Sequence, residues 1–78
     1  MNTILYRVKK IAATDTKPVR LKVTRVESGY SRTVPLDYSA LIPAKHAVLA
    51  AFGGDWTTEN LEFCGSDSHG TYYISITN

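Results

Sequence analysis

Ile4-Leu5-Tyr6-Arg7-Val8-Lys9-Lys10-Ile11 and Val19-Arg20-Leu21-Lys22-Val23-Thr24-Arg25-Val26 are the two stretches whose reading decides the fold. Both are rich in β-branched residues, and both alternate apolar with charged positions at a period of two, the pattern of a half-buried strand. In the first, Ile4, Tyr6 and Val8 share one face while Arg7 and Lys9 take the other; in the second, Val19, Leu21 and Val23 oppose Arg20, Lys22 and Thr24. Each alternation slips near its end, at Ile11 and at Val26, which marks a bulge or a strand end. Thr14, Asp15 and Pro18 lie between the two stretches and favour turns, through side-chain hydrogen bonds or a fixed φ. The simplest arrangement is an antiparallel hairpin that projects Arg7, Lys9, Arg20 and Lys22 from one face.

Beyond this hairpin, Ser28 to Ser31 supply a second turn, and Arg32 to Val34 form a short third strand that Pro35 confines to an edge or ends. A helix is expected over Leu41 to Phe52, with Asp37 and Ser39 as candidate N-caps and the Gly53-Gly54 pair closing it in the left-handed conformation. Pro43 fits its first turn, so the regular part begins near Pro43. At 100° per residue, Leu41, Ala44, Val48, Ala51 and Phe52 make a stripe that covers the sheet, and His46 and Ala50 fall on the opposite side. Asp55 to Asn60 reads as a polar connector. A second hairpin follows, in which Leu61 and Phe63 alternate with Glu62 and Cys64, Tyr72, Ile74 and Ile76 alternate with Tyr73, Ser75 and Thr77, and Gly65 to Gly70 is the loop. Residues 1–78 therefore read as a single domain of α+β class. It has two layers, an antiparallel or mixed sheet of four to five strands in the order β-β-(β)-α-β-β with one helix packed on one face. The apolar face expected of that sheet is Tyr6, Val8, Leu21, Val23, Leu61, Phe63, Ile74 and Ile76.

At 78 residues, with 44% hydrophobic and 21% charged residues, the composition is that of a folded domain and not of a disordered chain. The longest apolar stretch, Ala47 to Phe52, is far short of the ~20 residues of a membrane-spanning helix, so no membrane partner is expected. Arg7, Lys9 and Lys10 interrupt the N-terminal apolar run, which does not fit a signal peptide and makes a cytoplasmic location the expectation. Cys64 is the only cysteine, so no intrachain disulfide forms. A core this small supplies only about 3 to 5 kcal/mol, which leaves room for a partner or a homodimer to add stability.

The charge is unevenly distributed. Up to Arg32 the chain holds eight basic residues against Asp15 and Glu27, or +6; from Thr33 onward only Lys45 is basic, against five carboxylates, or −4, and the two halves sum to the net +2. Like charges facing each other across a strand pair destabilise it, so the clustered cations read either as a contact surface for phosphates or an acidic protein, or as a solvated sheet face balanced by Glu62 from the second hairpin. Tyr73, expected on the same side as Cys64 and the cations, adds an aromatic to that surface. Tyr30 in a turn, the neighbouring Arg32, and Trp56 in the connector are candidate interface anchors.

The loop from Cys64 to Gly70 gathers a thiol, a carboxylate and an imidazole. Residues so close in a hairpin loop point in diverging directions, and Gly, Ser and Asp serve turn geometry there, so no catalytic group, metal or cofactor is expected. Cys64 is expected to be semi-buried and to pack. The function expected is that of a small non-catalytic interaction module that docks on a larger protein or ribonucleoprotein complex through Arg7, Lys9, Arg20, Lys22, Tyr30, Arg32, Trp56 and Tyr73. Small stand-alone chains with this role occur among phage and mobile-element accessory proteins that inhibit host machinery, anti-CRISPR proteins among them. The alternative is a nucleic-acid-binding module using the same basic hairpin.

Overall fold

The computed structural model describes residues 2–36, 39, 41–53 and 57–77, with the backbone alone for residues 2, 58 and 77. The elements are β1 (Asn2–Ile11), β2 (Arg20–Arg25), β3 (Tyr30–Pro35), α1 (Pro43–Phe52), a 3-10 turn (Thr58–Asn60), β4 (Leu61–Asp67) and β5 (Gly70–Thr77). The strands form one antiparallel sheet in the order β3-β2-β1-β5-β4. The expected α+β architecture is present, with all five strands in one sheet and the two hairpins joined through the pairing of β1 with β5.

Local chemistry explains the links. The Thr14 N–H donates to Lys17 O (2.9 Å) and the Lys17 N–H to Thr14 Oγ1 (3.2 Å), which shapes the turn between β1 and β2. Gly29, at φ +74°, takes the left-handed conformation that ends the tight link from β2 to β3. The slips at Ile11 and Val26 are strand ends: the β1–β2 register runs unbroken from Tyr6↔Arg25 to Ile11↔Arg20, and the Val26 N–H still donates to Leu5 O (3.0 Å). Pro35 ends β3 on the sheet's edge, where its missing N–H costs nothing.

The segment from β3 through α1 to β4 carries the chain from one edge of the sheet to the other. One crossover means one covered face. On that face Tyr6, Val8, Leu21, Val23, Leu61 and Tyr73 are buried with Ala47, Val48 and Ala51 of the helix, and Ile4, Val34, Leu36, Ala44 and Phe52 pack at the margin.

Several expectations are corrected. Ile74 and Ile76 point away from the core, because the β1–β5 register sets Tyr73 beside Tyr6 and Ser75 beside Ile4, on β1's inward face. Phe63 is on the helix side but 62% exposed, its ring meeting Tyr73 edge-on at 5.9 Å. Leu41 precedes the helix and is 97% exposed. The N-cap is Ile42, without a side-chain cap; Pro43 in the first turn leaves one fewer donor to satisfy there. Ser39 lies upstream of that position, and Asp37 falls outside the described residues. Gly53 closes the helix in an extended conformation (φ −63°, ψ 155°), with its N–H on Leu49 O, instead of a left-handed one; Gly54 also lies outside the described residues. The expected loop Gly65 to Gly70 is mostly strand. Pairing continues through Ser66↔Thr71 to Asp67↔Gly70, leaving a two-residue turn at Ser68 and His69.

Candidate binding face

The alternation of β1 and β2 places Arg7 opposite Thr24, Lys9 opposite Lys22 and Ile11 opposite Arg20. These side chains lie on the face away from the helix, since the neighbouring residues Tyr6, Val8, Leu21 and Val23 are in the core. Arg7, Lys9, Arg20 and Lys22 are thus brought together as expected. Among the described residues, no element covers them. Lys9 and Lys22 are exposed and directly opposed, a pairing that destabilises the hairpin by a few tenths to about 1 kcal/mol. Arg7 and Arg20 are half-buried, and Arg20 Nε is shielded from water with no hydrogen-bond partner. Glu62 does not neutralise the group: it stands opposite Ile74 on β4, two strand spacings or about 10 Å from β1.

The same face carries an apolar row that the sequence reading missed. Val26, Leu5 and Ile74 are neighbours across β2, β1 and β5, and Ile76 follows opposite Thr3. Val26 and Ile76 are each 38% exposed, and Leu5 and Ile74 are half-buried. The sequence did hold a signal: Ile4-Leu5-Tyr6 and Tyr72-Tyr73-Ile74 are apolar on both sides of the alternation, as strands inside a sheet tend to be.

Tyr72, not Tyr73, is the aromatic on this face. It stands opposite Arg7 on β5, and its hydroxyl donates to Asp67 Oδ2 at 3.2 Å. Asp67 Oδ1 accepts the His69 N–H at 2.7 Å. That backbone hydrogen bond, helped by the Tyr72 hydroxyl, holds the Asp67 carboxyl below its usual range. Tyr73 is buried in the core, where burial pushes its phenol up.

The remaining expected contact residues divide. Tyr30 and Arg32 lie on the helix side of the edge strand β3. There the Arg32 guanidinium donates to Ala51 O at 3.1 Å and sits 5.8 Å from the Tyr30 ring centre and 5.7 Å from that of Phe52. Arg32 thus satisfies a carbonyl at the helix C-terminus and favours its negative dipole end, a structural task. Tyr30 stays 59% exposed, with its ring edge-on to Phe52 at 6.3 Å. Trp56 lies outside the described residues.

Cys64 is exposed at a bulge of β4, not semi-buried, because pairing skips it between Phe63↔Tyr73 and Gly65↔Tyr72. His69 is in the following turn and His46 on the outer side of α1. Among the described residues, no group of three or more His, Cys, Asp or Glu side chains is placed to hold a metal. No helix in these residues is long and apolar enough to cross a membrane. Compared with known proteins, the chain matches no family model, no curated protein and no solved structure.

Proposed function

We propose that this protein is a non-catalytic interaction module whose open sheet face docks on an acidic surface of a larger protein. One observation carries the reading: Arg7, Lys9, Arg20 and Lys22 share a single face with the apolar residues Leu5, Val26, Ile74 and Ile76, and no described element covers that face. A face with cations alone suits phosphates as well as carboxylates. An aliphatic row beside them suits a protein, whose side chains offer apolar surface to match, whereas bases of a nucleic acid stack on aromatic rings. Such a module acts by occupying a surface of a larger protein or ribonucleoprotein machine, the role expected of an inhibitory accessory chain.

The test is a capture experiment from the source organism's extract, with and without nuclease, followed by titration of the captured partner. Replacing Arg7, Lys9, Arg20 and Lys22 together with Glu is expected to abolish binding while the fold survives, because these side chains lie outside the core and the reversed charges repel one another about as the originals do. Undiminished binding by that variant sinks the reading. Tyr72 beside Arg7 favours nucleic acid as the second reading. Salt separates the two: phosphate contacts release counterions, so nucleic-acid affinity falls log-linearly, ~10-fold or more between 50 and 200 mM for a few contacts. A protein interface loses mainly association rate.

A further inference from the structure

From the layout of the open face we infer the form of the partner segment: an amphipathic helix, acidic along one flank, lying across the strands. The inference rests on the docking reading above and specifies what docks. The apolar residues Val26, Leu5 and Ile74 run perpendicular to the strands, one on each of three successive chain segments. Adjacent strands are about 4.8 Å apart, so the row offers apolar contacts at steps of about 5 Å. A helix advances about 4.5 Å over three residues and about 6 Å over four, so side chains at i, i+3 or i+4, and i+7 meet the three positions in turn. An extended partner matches poorly. Its same-side residues recur every ~6.7 Å, the spacing along a strand, and along β1 this face reads Thr3, Leu5, Arg7, Lys9, Ile11, so its two apolar positions are parted by two cations.

The charges fix which flank of the partner is acidic. Moving two residues along β1, β2 and β5 from the apolar row reaches Arg7, Thr24 and Tyr72, and two more on β1 and β2 reach Lys9 and Lys22; the face's carboxylates, Glu62 opposite Ile74 and Asp67 on the Tyr72 hydroxyl, stand at the β4 end. On the other side of the row stand Thr3 and Ile76, both uncharged. Carboxylates on one flank of the helix therefore meet Arg7, Lys9 and Lys22, and the opposite flank stays neutral. A second copy of this chain does not fit the description. The α-helix among its described residues, Pro43–Phe52, contains no acidic residue, and two open faces would set four cations against four.

The probe is a capped synthetic peptide of about four helical turns with Leu at i, i+4 and i+7 and Glu along one flank. Its control is an isomer of the same composition with Leu at alternating positions. Both are titrated into the full chain labelled with nitrogen-15, with circular dichroism of the peptide in parallel. The helical-pattern peptide is expected to bind at least ~10-fold more tightly, to gain helix content on binding, and to shift amides around Leu5, Val26 and Ile74. Leu5→Asn and Ile74→Asn, each checked to be folded at the titration temperature, should each weaken it ~5-fold or more. Equal affinity for the two isomers, or shifts confined to the helix-covered side, overturns the inference. The docking reading has its own failure, the four-Glu variant that still captures the natural partner, so the two outcomes are separable. Dimerisation in sedimentation that Ile74→Asn removes would also overturn the inference, by making a second copy the occupant.

Discussion

The two faces of the sheet come from the same strands and have opposite economies. On the helix side, Val23, Val48 and Leu61 are almost wholly removed from water, and α1 packs there. On the other side the strands place a comparable aliphatic set, Leu5, Val26, Ile74 and Ile76, next to Arg7, Lys9, Arg20 and Lys22, with nothing described over them. A face needed only for solvation would be polar throughout, as one-sided antiparallel sheets usually are. Here apolar contact area and unrelieved like charge stand together. Both features cost stability or solubility in the isolated chain and both become favourable against an acidic, amphipathic surface.

The strongest way to break this contrast is to truncate one aliphatic residue on each face. Leu61→Ala removes a side chain that is 1% exposed and is expected to cost about 2 to 5 kcal/mol, a large share of the stability of a domain this size. Ile74→Ala, on the neighbouring strand, should cost only about 1 kcal/mol, because its side chain keeps water on one side in the folded state. Chemical denaturation of the two variants measures both values. Equal costs would mean that the open face is covered after all.

A difference of this kind was only half legible in the sequence. The period-two pattern of Ile4 to Val26 was enough for the first hairpin, its cationic face and the strand-end slips, because charge and apolarity alternate there without ambiguity. The second hairpin offered two competing alternations, Tyr72-Ile74-Ile76 and Tyr73-Ser75-Thr77, and hydropathy favours the isoleucines as the inward set. Pairing decided otherwise. Ser75, small enough to lie beside Leu61, and Tyr73, beside Tyr6, face the core in the register that β1 imposes. Register is a long-range property, so a single strand's pattern does not carry it when both its sides are apolar. The same reversal moved the aromatic of the binding face from Tyr73 to Tyr72. Tyr30 and Arg32, near the basic hairpin in sequence, lie on the far side of the sheet for a separate reason, since the β2–β3 register sets Arg32 opposite the buried Val23 and Tyr30 opposite Arg25.

Phe52 tests the covered face at its margin. Its ring packs on Tyr6 at 5.5 Å and carries Arg32 above it, yet it is only partly buried. Phe52→Ala is expected to cost about 2 to 3 kcal/mol, below the 3 to 5 kcal/mol of a fully buried Phe, and to leave binding at the open face intact. Loss of binding in a folded Phe52→Ala protein would show that the two faces are not independent. On the open face, Lys9→Glu converts the Lys9↔Lys22 repulsion into attraction and should raise stability by about 0.2 to 1 kcal/mol in low salt. It should weaken partner binding at the same time, the opposite of what a covered-face substitution does.

The smallest effect concerns how the open face holds its own aromatic. Tyr72 is tethered by its hydroxyl to Asp67, whose other oxygen accepts the His69 N–H in the β4–β5 turn. The Asp67 carboxyl is held below its ordinary 3.8 chiefly by that backbone hydrogen bond. The ionised form is therefore favoured more in the folded chain than in the unfolded one. Its contribution to stability is complete above the unfolded value and disappears as pH falls through the lower folded value. Asp67→Asn removes this dependence. The parent should lose more melting temperature than the variant between pH 5 and pH 2, and near neutrality the parent should be the slightly more stable of the two. The carboxylate is fully exposed, so the difference is small and shrinks further in salt. Identical acid profiles for parent and variant would show that the turn contact contributes nothing. Tyr72 would then be placed by the sheet alone, and the order of the open face would rest, like that of the covered one, on strand pairing.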